Sequence, residues 1–206
     1  DELAASEKNW LKIAERIEKR SPAWDQLTQM LPYAEKLPMY ESINNEVQAI
    51  IENRSLLDDT DYVTPLLNKT ANALRSALTD IADKYESEFN QGMEDLDEDP
   101  VWKQIEKNKK QEILSNIPLK PASSPSTKTN ENILQELNTA SLDARNSEIA
   151  AIPSRITKAL EEAAKSLNPE ATTISIRSAT LENEDAVNEW IEEHRKKLLE
   201  AVKKGP

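Results

Sequence analysis

The clearest chemical pattern in the chain lies in DLDEDPVWKQIE, residues 95–106. Asp95, Asp97, Asp99 and Glu106 occupy the first, third, fifth and twelfth positions of a calcium-binding loop of the EF-hand type. The sixth position of that loop needs a glycine with positive φ, but here it is Pro100, whose ring holds φ at about −65°. An Asp99 N-cap followed by Pro100 in the first helical position explains the same residues without a metal. The stretch therefore predicts a helix start, with Trp102 on its apolar face.

His194 is the only histidine, and the chain has no cysteine. One histidine without thiolates cannot build a zinc site, and a di-iron site would need a glutamate three residues earlier, where Ile191 stands. General acid or base catalysis would require a partner that the sequence does not identify. We interpret His194 as a boundary residue on the packed edge of a helix.

Nucleotide-binding loops are excluded by the glycine content, because Gly92 and Gly205 are the only glycines. A Walker A loop or a dinucleotide fingerprint needs several closely spaced glycines. The chain also has no Gly-x-Ser-x-Gly nucleophile elbow. We therefore predict no catalytic residue, no cofactor-binding residue and no metal ligand, and we expect this region not to be an enzyme and to need no cofactor.

The composition is typical of a helical protein. Leu, Ala, Glu, Lys and Asn are abundant, whereas Phe occurs once. No apolar run reaches the roughly 20 residues that a membrane span needs, and DELAASEKNW lacks the charged start and apolar core of a signal peptide. The predicted fold class is mainly α, a multi-helix bundle with one short β-strand near the C-terminus, and the predicted location is cytoplasmic, without membrane association.

The net charge of −12 is concentrated in the first half of the chain. Residues 1–100 contain 10 Lys and Arg against 22 Asp and Glu, while residues 101–206 contain 16 of each. Within residues 80–99, nine carboxylates accompany a single cation, Lys84. Such a surface repels nucleic acid. It is either a solvated helix end or a docking surface for a basic partner.

The hydrophobic periodicity predicts a series of amphipathic helices. The first places Leu3, Trp10, Ile13, Ala14 and Ile17 on one stripe, and a second is predicted to start at Ser21 and Pro22. The longest starts near Thr64 and carries a stripe from Leu67 to Phe89. Further helices are predicted over about 38–57, 100–117, 133–137, 147–167 and 183–203.

Residues 118–130, PLKPASSPSTKTN, read as a polar, extended linker. They separate an acidic helical region, 1–117, from a second region, 131–206. The second region contains the predicted strand 172–177, TTISIR, whose alternation is that of a half-buried strand. Because a single strand is unstable alone, this run indicates either a larger parent protein or pairing with another copy.

Four tryptophans, Trp10, Trp24, Trp102 and Trp190, lie on apolar stripes, which predicts core or inter-helix packing first and interface anchoring second. Basic residues cluster at 103–110 and 195–204 but are interleaved with glutamates. That pattern is typical of an exposed face of a helical bundle. Nucleic-acid binding is therefore not expected.

The order of several segments resembles a known family. These segments are TPLLNKTANALRSALTDIADKYESEF, DPVWKQIEKNKKQEIL, NILQELNTASLDARNSEIAAIPSRITKALEEAAKSLNP, TTISI and the closing EAVKKGP. Over roughly residues 60–206 they resemble the carboxy-terminal helical region of the large P-loop ATPases of bacterial BREX phage-defence systems. The ATP-binding motifs of that family lie far upstream and have no counterpart here, so no functional residue is carried over.

The resemblance implies a scaffold or assembly region of a defence ATPase, with the rest of the parent chain and other defence proteins as partners and with possible self-association. The first helix has no convincing N-cap. For this reason too, we expect this chain to be a piece of a longer protein. The alternative is a stand-alone helical adaptor whose acidic first half is a docking face.

Overall fold

The computed structural model describes residues 2–167, 179–181 and 183–204. Helices form most of this part of the chain, which confirms the mainly α prediction. The strand predicted at 172–177 lies outside the described residues. The elements are α1 (Glu2–Ala34), α2 (Tyr40–Glu52), a 3-10 turn (Ser55–Leu57), α3 (Val63–Glu98), α4 (Pro100–Lys103), α5 (Lys107–Ser115), α6 (Asn130–Thr139), α7 (Leu142–Leu167) and α8 (Glu184–Lys204).

Helix α1 runs without interruption through Ser21 and Pro22, so the predicted second helix start at these residues is wrong. Proline lacks the N–H that would bond the carbonyl one turn earlier, which costs about 3 kcal/mol in a helix interior. The carbonyl that lacks this donor is that of Glu18, while the Ser21 hydroxyl donates to the adjacent carbonyl of Ile17 at 2.8 Å. Downstream, Leu27 and Met30 are completely buried. Their burial offsets the proline and keeps the helix continuous.

Two other helix boundaries also differ from the prediction. The helix predicted over 100–117 stops at Lys103 and restarts at Lys107, because the N–H of Ile105 bonds the carbonyl of Trp102 at 3.1 Å and turns the buried Ile105 inward. Helix α7 begins five residues before the predicted position, since the Ser141 hydroxyl accepts from the N–H of Ala144 at 3.2 Å.

The chain divides into two compact units. The first unit comprises residues 1–91 and 120–152, and the second comprises residues 92–119 and 153–206. The predicted regions 1–117 and 131–206 therefore each contribute residues to both units.

The first unit has one hydrophobic core built by five helices. Residues of α1, α2, α3, α6 and α7 meet there, and the predicted α3 stripe supplies the central layer. The main buried side chains are Leu27 and Met30, Ile43 and Val47, Leu74 and Leu78, Ile133 and Leu137, and Leu142.

A buried arginine in α1 holds the loop between α2 and α3. Arg20 is only 6% exposed, and its guanidinium donates to the carbonyls of Leu56 and Asp58, each at 2.8 Å, and of Asp59 at 3.1 Å. The Asp61 carboxylate lies 3.9 Å from its Nε. Because these carbonyls belong to a loop, the arginine replaces the missing backbone partners and fixes the entry into α3.

Asp61 caps the start of α3. Its carboxylate accepts from the N–H groups of Val63 at 2.9 Å and Thr64 at 3.1 Å, and from the Thr64 hydroxyl at 2.7 Å. Partial burial raises the pKa of Asp61, but these hydrogen bonds lower it by more. The charge of Arg20 lowers it further, so the pKa lies below its ordinary value.

The depressed pKa of Asp61 predicts a pH-dependent contribution to stability. The contribution is complete above the unfolded pKa of about 3.9 and is lost as the pH falls through the lower folded value. We expect Asp61→Asn to be less stable than the wild type at pH 7, with a gap that narrows below about pH 4. Urea midpoints of both proteins at pH 7 and pH 3 measure this. A gap of equal size at both pH values would contradict the prediction.

Residues 120–129 have no helix or strand, as predicted for the linker, yet they are held at three main-chain atoms. The Tyr85 hydroxyl donates to the carbonyl of Lys120 at 2.9 Å, and Arg75 Nε donates to the carbonyl of Thr127 at 2.9 Å. The N–H of Ser126 donates to Glu136 Oε1 at 2.9 Å. We call residues 120–129 the strap, because side chains of α3 and α6 fasten it within the first unit.

Candidate interaction surfaces

The acidic stretch that resembles a calcium loop is a helix start, which confirms the N-cap prediction. Asp99 Oδ1 accepts from the N–H groups of Val101 at 2.7 Å and Trp102 at 3.2 Å, and Pro100 is the first helical residue. Asp97 accepts from the Trp102 indole N–H at 3.2 Å. Among the described residues, no three His, Asp or Glu side chains are grouped closely enough to hold a metal ion.

Trp102 occupies the interior of the second unit. It is 1% exposed, and Lys110 Nζ lies 5.4 Å from the centroid of its ring. A cation over an indole face adds electrostatic attraction to the packing. The prediction of core packing is thus confirmed for Trp102, and Trp24 packs partly buried against the core of the first unit.

His194 lies on the packed side of α8 and is 7% exposed. Its Nδ1 is 2.7 Å from the carbonyl of Trp190, and the two rings are 4.2 Å apart. Because a carbonyl only accepts, Nδ1 carries the proton. Burial and this bond assign His194 a packing position in α8.

The acidic residues of α3 and the following turn are mostly exposed. Asp80, Asp83, Glu86, Glu88 and Glu94 all lie in solvent. This exposure fits both interpretations of the stretch, the solvated surface and the docking surface.

Several basic residues of the later helices pair with glutamates of their own helix. Lys109 lies 2.9 Å from Glu112, and Arg195 lies 3.1 Å from Glu192. Such exposed pairs contribute little to stability. They match the predicted bundle-face pattern.

Two shallow depressions open on the first unit. One, of about 330 Å³, lies between α3, the strap and the start of α7, and is lined by Ile81, Tyr85, Pro121 and Arg145 among others. The Arg145 guanidinium already has partners within the protein. Its Nη2 donates to Glu136 Oε2 at 2.8 Å, and its Nε donates to the carbonyl of Ala140 at 3.1 Å. The other, of about 610 Å³, lies between α2 and the start of α3, where Lys69 and Glu46 pair at 2.5 Å.

The first turns of α1 expose several apolar side chains. Every residue from 2 to 12 is exposed, including Leu3 at 87% and Trp10 at 67%. Leu11 and Ile17 are exposed as well. Core packing was the first prediction for Trp10, and it is wrong.

The exposed stripe of α1 repeats every seven residues. Leu3, Trp10 and Ile17 are followed at the same spacing by Trp24 and Leu31, which pack partly buried against the core. The first turns of this stripe lie in solvent, and its later turns pack against the core. We define the apolar face of α1 as Leu3, Trp10, Leu11, Ile13, Ala14 and Ile17.

Helix α8 also exposes apolar side chains. Asn183 caps it by accepting from the N–H of Ala186 at 2.8 Å, near the predicted start. Ile191, Leu198 and Leu199 are exposed. The second unit thus also presents apolar side chains to solvent.

The sequence analysis did not predict the buried role of Arg20, although its position in the sequence indicates that role. Arg20 precedes Leu27, Met30 and Ala34 by seven, ten and fourteen residues, so it lies on their buried side of α1. A charged residue in line with a core stripe predicts a buried hydrogen-bonding role.

Among residues 2–167, 179–181 and 183–204, no helix is long and apolar enough to cross a membrane. No protein-family model, curated protein or solved structure matches this chain.

Proposed function

We propose that this chain is a non-catalytic helical assembly region of a large cytoplasmic ATPase of bacterial anti-phage defence. The observation that carries the proposal is the apolar face of α1, which lies in solvent beside a fully formed core. Exposed apolar surface rimmed by polar residues is typical of protein–protein contact sites. The exposed side chains of α8 add a similar surface on the second unit. The resemblance to the carboxy-terminal region of BREX ATPases supplies the biological context.

The assembly role predicts that the purified chain releases phosphate from ATP no faster than a matched blank. The measurement is inorganic phosphate release across the fractions of a final gel-filtration peak, with a heat-treated sample of the same fractions as the control. Release that follows the protein peak and disappears on heating would contradict the proposal. The genomic sequence upstream of Asp1 tests the context, because it should encode a Gly-x-x-x-x-Gly-Lys-Ser/Thr loop.

The exposed carboxylates of α3 favour a second candidate, a stand-alone adaptor that docks a basic partner. Binding of that kind depends on charge and weakens steeply between low and physiological salt. Anisotropy of a labelled arginine-rich peptide at two salt concentrations separates the candidates. Salt-sensitive binding together with a native start codon next to Asp1 would favour the adaptor.

A further inference from the structure

The depression between α2 and the start of α3 combines an apolar lining with polar groups. All of its lining residues belong to the first unit, and its volume of about 610 Å³ lies within the range of ligand pockets in proteins, roughly 300–1,000 Å³. The buried side chains of Ile50 and Leu66 line it, as do Ala49 and Pro65. Binding sites typically join such an apolar surface to a few polar groups that orient the ligand.

One polar side chain of this lining is almost completely buried. Ser55 is 8% exposed, and in the part of the chain that the structure describes its hydroxyl makes no hydrogen bond. The Asp58 carboxylate and the Tyr62 hydroxyl line the same depression and also have no partner among the described residues. A buried hydroxyl without a hydrogen bond costs free energy, so this arrangement favours a ligand that supplies hydrogen-bond donors.

The charges that line the depression favour a cationic ligand. Glu46 and Lys69 pair at 2.5 Å and neutralise each other, so Asp58 is the remaining charge among the lining residues. Arg54 is exposed in the neighbouring turn but is not a lining residue. A ligand with a positive charge therefore complements the depression.

Tyr62 makes an arginine side chain the best match. The tyrosine is 48% exposed, so its ring is accessible to a planar group. A guanidinium is planar, stacks on aromatic rings and offers several N–H donors, whereas the ammonium of lysine is compact and strongly hydrated. The Asp58 carboxylate and the Ser55 hydroxyl accept such donors, and the aliphatic stem of an arginine matches the apolar lining.

The loop that carries Ser55 and Asp58 is fixed before any ligand binds. Arg20 holds the carbonyls of Leu56 and Asp58 from the buried side of α1, each at 2.8 Å. The N–H of Asp58 also donates to the carbonyl of Ser55 at 3.3 Å. A site that is already held in one geometry loses less conformational entropy when its ligand arrives.

We propose that the depression between α2 and α3 binds an arginine side chain of a partner protein. Asp58 pairs with the guanidinium, Tyr62 stacks on it, and the Ser55 hydroxyl accepts a hydrogen bond from it. The site shares no residue with the apolar face of α1 or with the acidic stretch 80–99. The proposal therefore goes beyond the assembly role and does not depend on the ATPase context.

Amide chemical shifts of the isotope-labelled full chain test the class of ligand. The probe is N-acetyl-arginine amide, and its neutral isostere N-acetyl-citrulline amide is the matched control. We expect the arginine probe to shift the amide signals of Ser55, Asp58 and Tyr62, with a dissociation constant of about 1 mM for a ligand of this size. Citrulline keeps the shape of arginine without its charge and should bind at least about 10-fold more weakly.

Three variants test the residues. Asp58→Asn removes the charge and should raise the dissociation constant of the arginine probe at least about 10-fold. Ala49→Leu fills the depression without changing the charge, because Ala49 is an exposed lining residue of α2, and should raise the constant at least about fivefold. Asp83→Asn is the matched control, since it makes the same change of charge at an exposed position of α3 and should leave the constant unchanged. The amide spectra also check that each variant keeps the fold.

Equal binding of the two probes, or shifts confined to residues 80–98, would overturn the proposal. Equal weakening by Asp58→Asn and Asp83→Asn would also overturn it, because the binding would then follow the overall charge. The same holds if Asp58→Asn or Ala49→Leu binds like the wild type, or if the arginine probe causes no shift at about 10 mM. These outcomes leave the assembly role untouched, whereas phosphate release would refute that role without bearing on the arginine site.

Discussion

Replacing Arg20 with methionine is expected to lower the free energy of unfolding of the first unit by about 3–5 kcal/mol. The substitution removes three charge-assisted hydrogen bonds to the carbonyls of Leu56, Asp58 and Asp59. It also leaves these acceptors without their arginine donor beside an apolar side chain, which adds a desolvation cost. Methionine keeps much of the aliphatic volume of arginine. The decrease in the free energy of unfolding therefore measures the lost hydrogen bonds and not the creation of a cavity.

Arg16 supplies the control for that experiment. It contacts the same loop through the carbonyl of Leu57 at 3.1 Å and pairs with the exposed Asp59, but its own side chain is partly in solvent. Because exposed pairs contribute about 0–1 kcal/mol, Arg16→Met should cost less than about 1.5 kcal/mol. Urea unfolding followed by far-UV circular dichroism measures both variants. Equal losses for the two arginines would refute the special role of Arg20.

Replacing Trp102 with alanine is expected to destabilise the second unit by about 3–5 kcal/mol. The indole is almost completely buried, so alanine leaves a large cavity and also removes the N–H that donates to the Asp97 carboxylate. Lys110 also loses the ring face over which it lies.

Asp99→Ala is the comparison for Trp102→Ala, because it affects the same turn without opening a cavity. Loss of an N-cap costs about 1 kcal/mol. Thermal unfolding followed by far-UV circular dichroism compares the two variants without relying on tryptophan fluorescence. A Trp102→Ala variant no less stable than Asp99→Ala would show that the ring is not central to this unit.

Local signals predicted several parts of the fold. The stripe of α3 was readable because Leu67, Leu74 and Leu78 recur at helical spacing, and all three are buried. The cap at Asp99 was readable because N-capping is a property of neighbouring residues. Both depend on chemistry within a few turns of the chain.

The errors arose where distant contacts override a local signal. Ser21 and Pro22 predict a helix start locally, but burial of Leu27 and Met30 keeps α1 continuous. Trp10 lies on an apolar stripe that looks like a core stripe, and periodicity cannot tell whether another element covers it. The role of Arg20 depends on a loop almost forty residues away.

The strap has a consequence for how this sequence can change over time. Its fasteners, Tyr85, Arg75 and Glu136, bond main-chain atoms, which every residue type except proline supplies in full. We therefore expect most exposed strap side chains to tolerate substitution, except Thr129, whose hydroxyl caps α6 by accepting from the N–H of Asn132, while Tyr85, Arg75 and Glu136 should be retained. Orthologous proteins should vary in the residue types of this segment and still share its backbone conformation.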